Sequence, residues 1–420
     1  MESLSTLNPL CSSRKNARFS IALITATRAE WGLLSPLARA LHSSPLFELR
    51  LIITGAHLCE ELGDTKQEVL DDFPTLPHIH SIPILTHSRD ELGIAHTTAN
   101  AIARFSEYFA RARVDMAVIL GDRYEMLAIA YACANLKIPM AHICGGESTQ
   151  GANDEYIRHC ITKMSYLHFA TTEAYRRRII QLGEEPHRVF NVGSLAVENI
   201  LHTPLFAREE LARFLNVKAE FLDKFCVLTY HPVTLESAPE REQIRLICEC
   251  LLSSPYQILA TKANADAQGE LINEVLQSYA AKHPTRFILR ASLGRRAYLS
   301  SLKLARFMIG NSSSALGEGL IMRVPSINIG ARQQGRLKNA CVIDCALRQD
   351  EIERALKRVS EKGFLDSIAS LPHLFGRGDT SRQILSHLTH FLSTQGIELK
   401  KPFFDVEIQT PINQSPKPPA

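Results

Sequence analysis

The sequence predicts an α/β fold built on two doubly wound parallel sheets. Short apolar runs typical of buried strands alternate with helical patterns along most of the chain. The 420 residues exceed the roughly 250–300 at which a single hydrophobic core stops growing, so two domains are expected. Two similar α/β halves that face each other would place a ligand in the cleft between them.

The strand-like runs fall into two series. The first series consists of SIALIT, LRLIIT, MAVIL and IPMAHIC, with helical patterns between them and one stretch, up to about Ser88, that is predicted to be rich in loops. The second series follows Val192-Gly193-Ser194 and consists of FCVLTY, YQILAT, RFILR, RFMIG and VPSINIG. This alternation is typical of doubly wound parallel sheets.

The two series define the predicted domain boundaries. We place the first domain at 19–193 and the second at 194–395, and we expect the last helix of the second to pack back on the first. Residues 1–18 lack the apolar core of a signal peptide and are predicted to form a flexible extension. Residues 396–420 are rich in proline and polar residues and are predicted to be disordered.

The composition argues against several classes of protein. A net charge of +3 with 22% charged residues is too even to favour nucleic acid or a membrane surface as a partner. No run approaches the roughly 18 consecutive apolar residues of a membrane span. The ten cysteines include no C-x-x-C pair, which favours a reduced, cytoplasmic setting. Neither G-x-G-x-x-G nor metal-ligand spacing of histidines is present, so no nicotinamide cofactor and no metal are expected.

The most informative motif is GDRYE, which directly follows the apolar run MAVIL. A buried strand ending in this motif delivers Asp122 and Arg123 to the carboxyl edge of a parallel sheet, where ligands bind in open α/β folds. The next strand ends in GGE, whose acid is Glu147, and Asp154 and Arg158 follow shortly afterwards. Three acidic clusters and two arginines are therefore expected to converge on one rim.

Arg28 lies between the first strand and the first helix. An arginine in such a turn can pair with a phosphate while the helix N-terminus adds partial positive charge. The alternative is an ordinary surface charge, which is the commoner role of a single arginine in a βα turn.

A second candidate site follows the run RFMIG, where the sequence NSSS precedes the helical stretch ALGEGLIM. The hydroxyls of Ser312 and Ser313, with backbone N–H groups at a helix start, suit a diphosphate. Helix capping would explain one such residue but not four in a row, so phosphate binding is favoured. Glu318 is then placed to accept hydrogen bonds from ribose hydroxyls, although a solvated helix face explains it nearly as well.

Two further residues border this second rim. His231 ends the strand FCVLTY and precedes Pro232, which favours an extended conformation at the sheet edge. A strand-end histidine is usually structural, but beside a phosphate site its imidazole can donate to a departing phosphate oxygen. Arg332 follows the strand SINIG and either adds positive charge to the same rim or is a solvated loop charge.

These segments, in this order, resemble the hydrolysing UDP-N-acetylglucosamine 2-epimerase family, which includes UDP-N,N'-diacetylbacillosamine 2-epimerases. The matching segments, from about Ile21 to Asp344, are TRAEWGLLSPL, GDRYEMLA, AHICGGEST followed by NDEYIRHCITKMSYLHF, RVFNVGS, TYHPVTLE, NADAQG, IGNSSSALGEG and INIGARQQGR. Single motifs are weakly specific, but eight in the same order are highly specific.

The resemblance implies a glycosyltransferase-B-like fold, with two Rossmann-like domains and a UDP-sugar in the cleft between them. It implies that UDP is eliminated from the anomeric carbon and that water is then added with inversion at C2. UDP-N-acetylglucosamine and water would give N-acetylmannosamine and UDP, for the synthesis of nonulosonic acids such as sialic or legionaminic acid. No cofactor is implied, and a homo-oligomer, either a dimer or a tetramer, is expected.

Roles for individual residues follow from the resemblance. The catalytic candidates are carboxylates and one histidine: Asp122, Glu147, Asp154 and His231. The candidates for binding the UDP-sugar are charged and hydroxyl side chains: Arg28, Arg123, Arg158, Ser312, Ser313, Glu318 and Arg332. From chemistry alone, a weakly acidic C2 proton needs a desolvated carboxylate as base, and clustered carboxylates raise one another's pKa towards that role.

One departure from the family pattern is Cys144. Many family members place an acid directly before the Gly-Gly pair, whereas the acid here, Glu147, lies three residues later. Two substrates therefore stay open, UDP-N-acetylglucosamine and UDP-N,N'-diacetylbacillosamine. Two other functions also compete: a glycosyltransferase-B-type transferase, and a nucleotide-sugar-binding protein without turnover.

Overall fold

The chain forms two compact units in a computed structural model that describes residues 18–59, 65–86, 91–148, 153–232, 240–263, 267–333, 338–371 and 374–407. The first unit comprises the described residues up to Asn199 together with those from Phe375 onward, and the second comprises Ile200–Leu374. The chain thus enters the second unit shortly after the predicted boundary at residue 194 and returns to the first unit for its last segment.

The first unit is built on a parallel sheet. Its strands are β1 (Phe19–Thr25), β2 (Phe47–Thr54), β3 (Ile79–Ile82), β4 (Met116–Leu120), β5 (Met140–Ile143), β6 (Leu167–Ala170) and β7 (Val189–Asn191). Within the described residues they pair in the order β3-β2-β1-β4-β5-β6-β7. β4 is buried along its whole length, as expected for a central parallel strand of five apolar residues.

Helices connect and cover these strands. They are α1 (Arg28–Ser43), α2 (Lys66–Asp72), α3 (Glu91–Arg111), α4 (Tyr124–Asn135), α5 (Asp154–Met164), α6 (Glu173–Gln181) and α7 (Leu195–His202). Thr27 caps α1 by accepting a hydrogen bond from the N–H of Glu30. Pro36 lies inside α1 and has no N–H, and the carbonyl of Gly32, four residues earlier, accepts from Asn199 Nδ2 instead.

The second unit repeats the pattern. Its strands are β8 (Phe225–Thr229), β9 (Gln257–Thr261), β10 (Phe287–Arg290), β11 (Phe307–Gly310), β12 (Ser326–Ile329) and β13 (Val342–Cys345), paired in parallel in the order β10-β9-β8-β11-β12-β13. Its helices are α8 (Arg208–Leu215), α9 (Glu240–Leu252), α10 (Ala267–Lys282), α11 (Gly294–Leu304), α12 (Glu318–Met322), α13 (Gln349–Arg358) and α14 (Lys362–Ala369).

Each sheet reverses its strand order at one place. In the first unit this switch point lies between β1 and β4, and in the second between β8 and β11. Ligands of open α/β sheets bind outside the carboxyl ends of the strands at such a point. The residues that follow these four strands are therefore the best placed to form a site in each unit.

The last helix, α15 (Thr380–His390), completes the core of the first unit. Ile384, Leu388 and Phe391 are buried in the same apolar cluster as Leu34 and Leu37 of α1. Removal of such large side chains from water is the main favourable contribution to packing. The first unit is thus built from both ends of the chain.

The segment after α15 docks on the first unit as far as it is described. Lys401 Nζ donates to the carbonyls of Lys163 and Ser165, at 2.7 and 2.8 Å, and pairs with the buried carboxylate of Glu184 at 2.8 Å. This docking corrects the disorder predicted from residue 396, because one lysine that reaches a buried acid leaves no periodic pattern in the sequence. Residues 408–420, and the predicted extension up to residue 17, lie outside the described residues.

β3 corrects the loop-rich interpretation of the stretch before Ser88. Its four residues, IHSI, lie at the edge of the sheet and pair with β2 on one side. Pro77 and Pro83 flank the strand, and such residues are common beside edge strands. A strand so short and so mixed in polarity lacks the apolar run by which the other strands are recognised.

Candidate active site

Asp122 lies directly after β4, at the carboxyl edge of the first sheet. Its turn begins at Gly121, whose φ of 81° lies in the left-handed region that favours glycine. The carbonyl of Gly121 accepts a hydrogen bond from Nε2 of the buried His142 at 2.8 Å. Burial lowers the pKa of His142 to about 3, so this ring is neutral and donates through Nε2. A neutral imidazole on β5 thus fixes the backbone that carries Asp122.

Arg158 connects the acidic clusters of this rim. Its guanidinium is 3% exposed and forms an ion pair with the Asp122 carboxylate. It also donates to the carbonyl of Glu147 at 3.0 Å and pairs with Glu155 at 3.5 Å. Asp154 is half-buried at the first position of α5, and its neighbour Glu155 is the acid that reaches the guanidinium. The structure thus brings Asp122, Glu147 and Arg158 together.

The side chain of Glu147 is oriented by the end of β6. Thr171 Oγ1 donates to Glu147 Oε1 at 3.0 Å. The preceding Gly146 has a φ of 76°, and a Cβ there would lie 2.4 Å from the carbonyl oxygen of Tyr175. The loop can therefore approach α6 this closely only with glycine, and Arg178 of α6 donates to the Gly146 carbonyl at 2.5 Å.

Cys144 occupies the position at which many family members carry an acid. Its φ is 65°, and its N–H donates to the carbonyl of Phe169 at 3.1 Å. The side chain packs against the apolar core of the first sheet. Burial, together with the charges of Glu147 and Asp122, raises the pKa of the Cys144 thiol well above its usual range. This position therefore contributes a neutral group.

The two remaining arginines of the first rim have different partners. Arg28 is exposed and pairs with Glu68 of α2 at 2.9 Å. Arg123 pairs with Glu125 at 2.8 Å and faces Glu30 at 3.7 Å, and both of these acids are buried. The partners of Arg123 are thus buried in the first unit, whereas the partner of Arg28 lies at its surface.

Asn311 organises the second rim. Its fully buried side chain accepts from the His231 N–H at 2.7 Å and donates to the His231 carbonyl at 2.7 Å. The Asn311 carbonyl accepts from Arg332 Nη1 at 3.0 Å and from Gln333 Nε2 at 2.9 Å. The loops after β8, β11 and β12 therefore meet at one residue, and the predicted His231 and Arg332 lie beside it.

The serines after β11 form a tight turn. Ser312 Oγ accepts from the N–H of Ser314 at 3.3 Å, and Ser314 Oγ accepts from the hydroxyl of Tyr298 at 2.8 Å. Ser313 is exposed and begins a short 3₁₀ turn, Ser313–Ala315. The single helix predicted over ALGEGLIM is therefore wrong: the backbone leaves helical geometry at Gly317, with φ −103° and ψ −94°, and α12 follows.

Glu318 is the first residue of α12 and lies near two residues of α11. Burial raises the pKa of Tyr298 to about 12, and the Glu318 charge acts in the same direction. Burial also lowers the pKa of Arg295, and Glu318 opposes that shift. Glu318 therefore contributes negative charge beside Arg295, next to the serine turn.

Sequence reasoning assigned no role to several residues that the structure places at these rims: Glu30, Glu125, His142, Thr171, Tyr298 and Asn311. Three of them had a detectable signal. Glu30 stands in the quoted motif TRAE, Glu125 ends the motif GDRYE, and Asn311 begins the polar run after RFMIG. His142, Thr171 and Tyr298 contact residues 16 to 24 positions away, and no local pattern reveals such partners.

Two negative findings concern the described ranges alone. Within them, no group of three or more histidine, cysteine, aspartate or glutamate side chains is arranged to hold a metal ion. In those same ranges, no helix combines the length and the apolar character that are needed to cross a membrane.

Acids lie near the switch point of the first sheet, and hydroxyl and amide groups lie at that of the second, which are the places where open α/β sheets bind ligands. Residues 39–389 match the family described as UDP-N-acetylglucosamine 2-epimerase. This match spans most of the chain, and the chain belongs to that family. The family predicted from the eight ordered motifs is confirmed.

Two relatives carry hydrolysing activity in their names. The chain is 41% identical to the GDP/UDP-N,N'-diacetylbacillosamine 2-epimerase (hydrolyzing) of Campylobacter jejuni, over 82% of this chain and 88% of that protein. It is 32% identical to the UDP-N,N'-diacetylbacillosamine 2-epimerase (hydrolyzing) of Legionella pneumophila, over 86% of this chain and 93% of that protein.

A solved structure shares the fold. Staphylococcus aureus MnaA, determined with UDP, matches with a TM-score of 0.69 and 17% identity, over 92% of this chain and 100% of that one. The predicted fold class, with two Rossmann-like sheets of the glycosyltransferase-B type, is confirmed.

Proposed function

We propose that this chain is a hydrolysing 2-epimerase that releases UDP from a 2-acetamido sugar nucleotide and inverts C2. The observation that carries the proposal is that Asp122 and Glu147 lie at the carboxyl edge of the first sheet, where the buried Arg158 pairs with the Asp122 carboxylate and donates to the Glu147 backbone carbonyl. Carboxylates held in a partly desolvated rim suit the transfer of a weakly acidic carbon-bound proton.

The reaction balances in two stages. In the first, a carboxylate of the Asp122, Glu147 and Asp154 set takes the C2 proton as the bond from C1 to the diphosphate oxygen breaks, and UDP leaves with the electron pair. In the second, a water oxygen adds at C1 and a proton returns to the opposite face of C2. Arg28, Arg123 and Arg158 offset the charge of the anionic substrate.

The second unit holds the diphosphate in this proposal. Ser312 and Ser313 donate to its oxygens, Arg332 supplies positive charge, and Glu318 accepts from the ribose. His231, whose backbone is clamped by Asn311, donates to the departing phosphate oxygen. A homo-oligomer is part of the same proposal.

UDP-N,N'-diacetylbacillosamine is the substrate we favour, because the 41% identical relative is named for that sugar. UDP-N-acetylglucosamine is the other candidate. The test incubates the purified protein with each nucleotide sugar and no acceptor, and measures UDP and free sugar. Release of both is expected. A transferase would release little UDP without an acceptor, and a binding protein would release none, so either result would overturn the proposal.

Isotopes test the order of bond changes. In deuterium oxide, the inverted free sugar should carry deuterium at C2, because a solvent-derived proton returns there. In oxygen-18 water, UDP should stay unlabelled, because the C–O bond is the one that breaks. A product that keeps its original C2 proton, or UDP that carries the label, would point to simple hydrolysis or attack at phosphorus.

A further inference from the structure

Two buried acids and one arginine form a cluster beside Asp122, and we call it the Glu30–Arg123–Glu125 cluster. Glu30 lies in the first turn of α1 and is 6% exposed, and Glu125 lies in the first turn of α4 and is fully buried. β1 and β4 are neighbouring parallel strands, so the loops that follow them meet at the same edge. Arg123 Nη2 pairs with Glu125 Oε1 at 2.8 Å, and Arg123 Nε faces Glu30 Oε1 at 3.7 Å.

The polar groups of the cluster are only partly satisfied. Within the described residues, Glu30 Oε1, Arg123 Nε and Glu125 Oε2 are buried atoms that make no hydrogen bond. Two carboxylates against one guanidinium also leave an excess negative charge in the interior. Buried charges are costly unless they are paired and hydrogen-bonded, so this arrangement destabilises the fold.

Helix capping alone does not require this arrangement. Thr27 already caps α1, and Glu30 Oε2 accepts from the N–H of Ala26 at 2.6 Å. Helix α6 is also capped by a threonine, Thr172, and has an acid, Glu173, at its first position, and that acid is solvent-exposed. A buried acid that points at Arg123 therefore indicates a role beyond the helix start.

We propose that Glu30 and Glu125 are positioning residues that hold the Arg123 guanidinium at the catalytic rim, next to Asp122. The inference rests on the proposed function, in which Arg123 faces the anionic part of the substrate. The guanidinium is the exposed member of the cluster, with 42% of the side chain accessible, whereas both acids lie beneath it. The two buried acids thus set the direction in which the Arg123 guanidinium points.

The charge of this cluster changes near neutral pH. Burial, the largest cause, raises the pKa of Glu30 to about 7; Glu125 acts in the same direction, and the Ala26 N–H and Arg123 oppose it. The next titratable group, His57, contacts the Thr25 hydroxyl, and burial lowers its pKa further below neutrality. The cluster is therefore neutral below about pH 7 and carries one excess negative charge above it.

A substrate with two negative charges should bind less tightly above that pH. Both phosphates of a nucleotide sugar are esterified and keep their charge over this range. One added charge about 10 Å away in a largely aqueous setting changes KM by roughly three- to fivefold. The KM of the wild-type enzyme should therefore rise as the pH increases through about 7.

The test compares wild type with Glu30→Gln between pH 5.5 and 9. The amide oxygen of glutamine still accepts from the Ala26 N–H but cannot titrate, so the rise in KM should disappear while kcat keeps its pH profile. Glu173→Gln, an exposed acid in the first turn of another helix, is the control and should behave as wild type. All other side chains are common to the three proteins. A Glu30→Gln variant that keeps the wild-type rise, or a wild-type KM that stays flat through pH 7, overturns the proposal.

Two further measurements separate this inference from the proposed function. Glu125→Gln removes the acid that repels the Glu30 carboxylate, so the midpoint of the KM rise should move to lower pH; an unmoved midpoint removes Glu125 from the proposal. If the wild-type protein releases no UDP from either sugar, the proposed function fails. The affinity for UDP-N-acetylglucosamine, measured by calorimetry at pH 6 and pH 8, then replaces KM, and an equal loss of affinity in wild type and Glu30→Gln overturns the positioning role.

Discussion

The rims of the two units are held together by different chemistry. In the first unit, a buried guanidinium, Arg158, gathers the charged Asp122 and Glu155 and the carbonyl of Glu147. In the second unit, the buried side-chain amide of Asn311 hydrogen-bonds both the N–H and the carbonyl of His231. The backbone carbonyl of Asn311 accepts from Arg332. Charged networks respond to protonation, whereas amide and hydroxyl networks keep one state over the usual pH range.

This difference indicates a division of labour. In the proposed reaction, the carboxylates of the first rim transfer the C2 proton. The hydroxyl groups and Arg332 of the second rim hold the diphosphate, and His231 donates to the departing phosphate oxygen. A substitution in one rim should therefore change turnover or affinity in a way that can be assigned to one unit.

The largest effect is expected from Asp122→Asn. The amide keeps the shape of the side chain but cannot take a proton, so kcat should fall by several orders of magnitude, at roughly tenfold for each 1.4 kcal/mol of lost transition-state stabilisation. Steady-state kinetics measure the loss, and calorimetry with UDP serves as the control for folding. Near-normal turnover would show that Asp122 takes no part in the reaction, and it would contradict the assignment of proton transfer to the first rim.

Replacement of Ser312 and Ser313 together by alanine should weaken the binding of UDP rather than slow the chemical step. Hydrogen bonds to a charged group contribute roughly 1.5–3 kcal/mol each, so we expect the loss of two to lower UDP affinity by at least about a hundredfold. Calorimetry with UDP measures the change, and Ser360→Ala, an exposed serine of the same unit, is the control. Unchanged affinity in a folded double variant would move the phosphate site elsewhere.

A smaller effect is expected from Glu30→Gln on stability. The folded-state pKa of Glu30, about 7, lies above its unfolded value near 4.5, so the folded state binds more protons between these values. Its contribution to stability is present below pH 4.5 and is lost as the pH rises to about 7. The glutamine variant should therefore reduce the difference in unfolding free energy between pH 5 and pH 8 by roughly 2–3 kcal/mol, by denaturant titration. An unchanged difference would place the titrating group elsewhere.

The smallest effect concerns a charged network outside both rims. Glu184 is buried between Lys163, His168 and Lys401, and these three partners outweigh burial and hold its pKa at about 2. Lys401→Met removes one of the three partners, so we expect a loss of about 1–2 kcal/mol in stability. Turnover of the folded variant should stay normal. The exposed neighbour Lys400 gives the control Lys400→Met. Equal losses of stability in both variants would show that the contacts of Lys401 do not stabilise the fold.

The sequence predicted the features that depend on local pattern. The strand Met116–Leu120 was predicted at its observed bounds, because five apolar residues ending in glycine are the mark of a buried parallel strand. The location of Asp122 and Ser312 at sheet edges was predicted for the same reason, since each is the second residue after such a strand. Asn311 bonds a residue eighty positions away, and Glu30 faces Arg123, which is remote in the sequence. Contacts of this kind depend on tertiary packing, which a single sequence does not display.

The location of α15 has a consequence for the order in which the protein can be completed on the ribosome. The strands of the first sheet are synthesised before the second unit, but the residues that cover one of its faces, Ile384, Leu388 and Phe391, emerge only after it. Until then that apolar face stays open while the whole second unit is being made. A nascent chain stalled in the second unit would expose it to chaperones or to other chains, and a message truncated before residue 375 would leave it uncovered permanently.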